Sequence, residues 1–346
     1  MVEVTKKSVP EKLVVYSQEV VPGSTHTLVV PVLSESMRID VFLAASFERY
    51  SRSFFKRLIE ENVVFKNGKL VERESMRVNQ GDMVIVQFPL LRDRTSLIQA
   101  AQLKEGSDKQ VELLFEHADF LIINKPARFM VHAPSQRSMA FTLSDWLVMK
   151  FDEIEKVGYD DRPGIVHRLD RDTTGIMVIP RSPWAHARLA DMFKERRMSK
   201  MYKAIVEGLP DQEGVVEYPI ARHPIERNKM THILPSGRNA LTHYAVDTYF
   251  AHHALLDVRI FTGRTHQIRV HCNAIGHPIL GDPIYGHKSK LIKRQALHAY
   301  SLSFEWNGQQ FAFKAPLPDD MTELIRYLAN TSEFEPCPEE HDPSCD

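Results

Sequence analysis

Cysteine is scarce: Cys272, Cys337 and Cys345 are the three thiols in 346 residues. They make no disulfide framework and no Cys-x-x-Cys metal pair, which suits a reducing compartment. Long apolar runs are missing too. Leu28–Leu33 is about as long as they get, far short of the ~18 residues that span a bilayer, so no membrane segment is expected. The first twelve residues, MVEVTKKSVPEK, lack the apolar core of a signal peptide, and the expected location is cytoplasmic. Glycine is sparse, and no Gly-rich phosphate loop is present, which argues against nucleotide-driven chemistry. What remains is ordinary globular composition, 43% hydrophobic and 26% charged, which excludes a disordered or fibrous chain.

The net charge of −1 hides an asymmetry. Residues 331–346 hold Glu333, Glu335, Glu339, Glu340, Asp342 and Asp346 with no Lys or Arg, so the rest of the chain is mildly basic. This tail is also Pro-rich and is expected to be disordered. Residues 1–30 show no sustained period and read as an extension, with a short strand at 27–32. Residues 95–110 read as a polar linker.

Between them, 31–94 forms one pattern. Ile39, Phe42, Leu43 and Phe47 mark one helix, and Ser51 is placed to cap a second in which Phe54, Phe55, Leu58 and Ile59 share a face. Basic Arg52, Lys56 and Arg57 accompany that face. Val63–Phe65 runs into Asn67-Gly68, a tight-hairpin dipeptide, and Met83–Phe88 is strand-like. This helix–helix–hairpin pattern resembles the S4 RNA-binding domain. The resemblance implies that Arg52, Lys56 and Arg57 meet RNA phosphates; the plainer reading is a solvated basic face.

From Val111 short strands interleave with helices, without a βαβ rhythm, to about residue 330. Strands are expected at 111–115, 120–123, 164–166, 175–179, 202–206, 242–249 and 254–261, and helices at 143–151 and 184–197. That is an α+β domain on a mixed sheet. Its most telling stretch is His167-Arg168-Leu169-Asp170-Arg171-Asp172-Thr173-Thr174-Gly175, a polar loop between two apolar segments. Asn124-Lys125-Pro126 precedes it. Lys200-Met201-Tyr202-Lys203-Ala204, Gly263-Arg264-Thr265-His266-Gln267-Ile268-Arg269-Val270-His271, Gly281-Asp282-Pro283-Ile284-Tyr285-Gly286 and Leu297-His298-Ala299 follow. In order and spacing these resemble the motifs of the RluA family of RNA pseudouridine synthases, and with the S4-like unit in front, its members acting on 23S ribosomal RNA. Thr174 stands where serine is common, which keeps the hydroxyl.

The resemblance implies an isomerase that breaks the uracil N1–ribose bond, turns the base and rejoins it through C5. No cofactor and no metal are needed. Asp170 would be the essential carboxylate, as nucleophile or as base. Asp172, two positions on, would point the other way in an extended segment and is read as a structural hydrogen-bonding residue. Thr265 is a plausible cap for a helix running toward Gly276, with Arg269 about one turn in. By resemblance Arg269 pairs with Asp170, fixing it and lowering its pKa. Tyr202 would pack against the flipped uracil, and Arg168 would fill the place the uridine leaves.

Two other classes compete. A metal-dependent phosphoesterase could use the His167, Asp170, Asp172 cluster, but His266 and His271 lie about 140° apart on a helix and cannot share a ligand face. A non-catalytic RNA-binding protein would have lost its carboxylate, and Asp170 is present. The expected partner is RNA, with no membrane, and the expected state is a monomer.

Overall fold

The computed structural model describes residues 20–332 except 22, 34, 90–93, 103–110, 136–137, 227 and 235. Most of the expected extension and tail, and the second half of the expected linker, lie outside the described residues. The chain divides into two compact units. One comprises Met1–Asp108, Val131–Val166 and Pro180–His186; the other comprises Lys109–Met130, His167–Ile179 and Ala187–Asp346.

In the first unit α1 (Ile39–Ser46) and α2 (Arg52–Glu60) pack on a four-stranded antiparallel sheet. Ser51 Oγ accepts from the Phe54 N–H at 3.2 Å, the expected cap. The stripe of Phe54, Phe55, Leu58 and Ile59 is buried with Phe42, Leu43, Val84, Val86 and Phe88 in one apolar core. Asn67 and Gly68 both take positive φ, as a two-residue hairpin requires. The extension supplies an edge strand of its own, at Thr25–Val29, pairing antiparallel with Met83–Gln87. Alternation explains the register: Leu28 and Val84 are opposite each other and both point into the core. Asp40 is buried on α1. Burial works against its ionisation, but the Arg38 and Arg52 guanidiniums overcome this and hold it below the usual carboxylate range.

The expected linker is helical in its first half, as α3 (Arg94–Gln102). Arg94 Nε donates to Asp145 at 3.2 Å, and Asp145 lies in the first turn of α4 (Leu143–Lys150). A linker would have no such anchor; polarity here reflects one wet helix face. Segment 164–166 is a turn rather than a strand, because Gly164 takes φ +74°.

The S4-like helices are tied to segment 131–166 by ion pairs. Arg57 Nη2 meets Asp161 at 2.8 Å, and Nη1 reaches the carbonyls of Ala133 and Pro134. Arg49 pairs with Asp160 at 2.6 Å. The Asp161 side chain is 2% exposed, and Arg57 is the cation paired with it. Arg52 and Lys56 are committed more loosely, to Asp40 and Glu74.

The second unit is built on a nine-stranded mixed sheet. Its order is Glu213–Val216, Thr242–Tyr249, His253–Ile260, Ser199–Glu207, Leu297–Trp306, Thr174–Pro180, Phe120–Lys125, Glu112–Glu116, with Gln309–Lys314 paired onto Leu297–Trp306. Thr174–Pro180 is buried throughout and runs parallel to Leu297–Trp306. Its continuous apolar run suits a strand covered on both faces. Around the sheet lie α5 (Pro183–Lys194), which also enters the first unit, α6 (Gln267–Ala274) and α7 (Asp319–Ser332). Among the described residues no helix is long and apolar enough to cross a membrane.

Replacing Arg57 with alanine leaves Asp161 buried beside no cation. It should cost about 2–3 kcal/mol, discounted from a fully buried pair because Arg57 is partly wet. A urea titration checks this: the first unit's midpoint falls, whereas an unchanged midpoint would make the pair a rim contact.

Candidate active site

Three features hold the polar loop 166–173 against the sheet. Lys125 is fully buried, and its Nζ donates to the carbonyls of Pro126 (2.7 Å), Phe129 (2.9 Å) and Arg171 (3.1 Å). A buried ammonium must be satisfied, so these contacts fix the backbone one residue from Asp170. Gly175 leaves the loop at φ +117°, where a Cβ would fall 2.3 Å from the Ala299 carbonyl oxygen; no other residue lets the loop join its parallel strand so closely. Thr174 Oγ1 shares a 2.8 Å hydrogen bond with His298 Nδ1.

Asp170 sits at the tip, with a side chain 16% exposed. Arg269 Nη1 donates to its Oδ2 at 3.0 Å. The other edge of the same guanidinium grips Asp282, with Nε to Oδ2 at 2.6 Å and Nη2 to Oδ1 at 2.8 Å. Asp282 also accepts from the backbone N–H groups of Ile284 (2.9 Å) and Tyr285 (3.2 Å). Burial opposes its charge, yet Arg269 holds its carboxyl below the usual range. Burial alone would weaken the protonated guanidinium, but the two carboxylates push Arg269 the other way. It therefore stays charged and locked.

Arg269 is the third residue of α6, nearer the start than expected. Thr265 is not the cap. His266 holds that position at φ 58°, with no side-chain cap bond. A left-handed non-glycine residue costs roughly 1–2 kcal/mol, and here it aims the imidazole at the loop: Nε2 is 3.8 Å from Asp170 Oδ2 and Nδ1 is 2.8 Å from the Tyr285 hydroxyl. Burial lowers the His266 pKa despite the carboxylate. The Tyr285 ring lies beneath Arg269, 5.1 Å from its Cζ.

Tyr202 is buried on Ser199–Glu207, on the same face as Ala204 and Val206. The ladder shifts between Met201 and Tyr202, which pair with Ser301 and Ala299 and leave Tyr300 over. Such a bulge re-aims a side chain. Burial, and then the nearby charge of Asp170, push the phenol pKa far up, so the hydroxyl keeps its proton and can donate. Arg168 is exposed on the loop. Asp170, Tyr202 and Arg269 thus converge, with Arg168 beside them. Arg52, Lys56 and Arg57 belong to the first unit.

His167 does not face this group. It is half-buried, stacks on Phe193 at 4.6 Å and accepts the Val178 N–H at 3.0 Å. The Asp172 side chain lies 3.9 Å from Arg171 Nε, and it is the Asp172 carbonyl that accepts a hydrogen bond, from Arg294. Among the described residues, no three His, Cys, Asp or Glu side chains are grouped to hold a metal ion. Asp282, His266, Tyr285 and Lys125 carry no individual role in the sequence reading, although all four stand in the quoted motifs.

Burial, chiefly, pushes His167 down to about 3 and His298 to about 4. Both are neutral when folded and protonate near pH 6.5 when unfolded, so the unfolded chain binds more protons below that pH. The stability these two histidines contribute should be fully present at about pH 7 and be lost as pH drops from about 6.5 toward 4. Urea midpoints across pH 4.5–8 test this; a flat profile would contradict it.

Comparison with known proteins agrees with this geometry. A family model described as RNA pseudouridylate synthase matches residues 119–274, and an S4 domain model matches residues 37–84. The chain is 35% identical to "Uncharacterized RNA pseudouridine synthase" of Aquifex aeolicus, over 87% of this chain and 96% of that one. It is 36% identical to "Ribosomal large subunit pseudouridine synthase D" of Vibrio cholerae, over 84% and 91% respectively. The solved structure "Human RNA Pseudouridylate Synthase Domain Containing 4" shares the fold, with a TM-score of 0.52 at 23% identity, covering 68% of this chain and 97% of that one. By these relatives the chain belongs to the RNA pseudouridine synthase family and carries an S4 domain ahead of the synthase part.

Proposed function

We propose that this enzyme converts uridines in 23S ribosomal RNA of the large subunit to pseudouridine, acting in the cytoplasm as a monomer. The observation that carries the reading is a partly exposed carboxylate, Asp170, held 3.0 Å from a buried arginine. The target is read from relatives named for the large ribosomal subunit. On this reading 31–94, joined by the edge strand Thr25–Val29, captures RNA and 111–330 carries the chemistry.

The reaction breaks N1–C1′ and makes C5–C1′; the C5 proton leaves and N1 gains one, so no redox partner or energy source is required. Asp170 acts at the ribose, either attacking C1′ or taking the C2′ proton. Arg269 holds the carboxylate in one orientation. Tyr202 packs against the detached uracil, and its neutral hydroxyl can hold a carbonyl while the base turns. Arg168 stacks in the place the uridine vacates, offsetting an extrusion cost of a few kcal/mol. Arg52, Lys56 and Arg57 contact phosphates; Arg52 and Lys56 are the freer, because Arg57 is held by Asp161. Closure around the base keeps water from competing for the sugar.

Mapping pseudouridines in ribosomal RNA from cells with and without the protein tests the target. Sites in 23S RNA should vanish without it and return with the wild type. Asp170→Asn should fold, bind RNA within a few-fold of wild type and restore none of them. Turnover by Asp170→Ala above background would refute the role of Asp170.

A further inference from the structure

Three arginines of the second unit, Arg196, Arg238 and Arg264, have no carboxylate partner among the described residues. Arg264 and Arg238 are brought together by the backbone. Arg264 Nε donates to the Asn239 carbonyl at 3.0 Å. Arg238 is held in turn by two 2.9 Å bonds exchanged with Ile220. Gly237 permits that approach, since a Cβ there would fall 2.9 Å from the Ile220 nitrogen.

Arg264 is half-buried, and its pKa is lowered by burial first and then by the charges of Arg238 and Arg196. The like charges are felt, and no acid balances them. Arg196 adds a second sign of selection. It closes α5 at φ +59°, with the Arg197 N–H bonded to the Met192 carbonyl at 2.9 Å. Glycine fills such a position without penalty, and any other residue costs roughly 1 kcal/mol or more. The repulsion is relieved if an anion bridges the guanidiniums.

The place of the cluster suggests which anion. Arg264 is two residues before His266, whose imidazole is 3.8 Å from Asp170. Resting on the reading that RNA is the substrate, we infer that Arg264, Arg238 and Arg196 form a phosphodiester-binding site. It grips the RNA backbone close to the nucleotide whose ribose reaches Asp170. Paired guanidiniums suit phosphate oxygens, which accept two parallel N–H bonds from each. The site sets the register of the strand, so that one uridine, and not its neighbour, enters.

The test is titration of transcribed 23S ribosomal RNA with full-length protein across a salt series, with pseudouridine counted in the same samples. Arg238→Ala, which loses an exposed side chain, should weaken binding several-fold and reduce the slope of log affinity against log salt by about 0.7–0.9, one phosphate contact. Arg264→Ala should do the same, and Arg264→Lys should keep the slope. At saturating enzyme the pseudouridines formed by Arg238→Ala and Arg264→Ala should spread from the wild-type position to neighbouring uridines, as a lost register requires. Arg326→Ala on α7 removes the same charge elsewhere and should leave the slope unchanged. An unchanged slope in Arg238→Ala, or an equal loss in Arg326→Ala, overturns the site. If the wild type forms no pseudouridine, the functional reading fails, while the slopes still report on the cluster.

Discussion

One guanidinium carries two duties. Arg269 is chelated by Asp282 through Nε and Nη2, which leaves Nη1 to meet Asp170 at 3.0 Å. A flexible partner would let that carboxylate wander. Asp282 removes that freedom. It is itself fixed by two backbone N–H groups of the turn that follows it, so rigidity passes from main chain to Asp282, to Arg269 and then to the Asp170 carboxylate.

The rest of the second unit serves this geometry. Lys125 secures the loop from below through three carbonyls, and Gly175 lets it join the sheet against Ala299. The bulge at Met201–Tyr202 aims the aromatic residue. Strain is concentrated at the same place: His266 takes a left-handed conformation at the start of α6, where its imidazole reaches both Asp170 and Tyr285. The scaffold is over-determined, which is what allows a residue to be held in an unfavourable conformation.

Much of this could be read from the residues. The Phe54–Ile59 stripe, the Ser51 cap and the Asn67-Gly68 turn obey local rules, and local rules are visible in sequence. Asp170, Tyr202 and Arg269 were accessible because they stand in ordered motifs. The Asp282 contribution was not, since nothing local distinguishes an aspartate that caps a turn from one that also chelates an arginine 13 residues before it. The cap at Thr265 was misplaced because capping preference assumes a helix start free of other duties. The linker at 95–110 looked wet and irregular, yet Arg94 anchors its helical half to Asp145. Arg57 looked like a free cation, and only the fold brings Asp161 beside it.

Whether Asp282 acts through Arg269 or on its own is read from a double-mutant cycle in single-turnover rate at saturating enzyme, using Asp282→Asn, Arg269→Met and the pair. Asp282→Asn alone should slow the reaction on the order of 10²-fold, the scale expected for a displaced reacting group. In the Arg269→Met background the same change should make almost no further difference. Fully additive losses would contradict this, because Asp282 would then matter by some route that does not pass through the guanidinium.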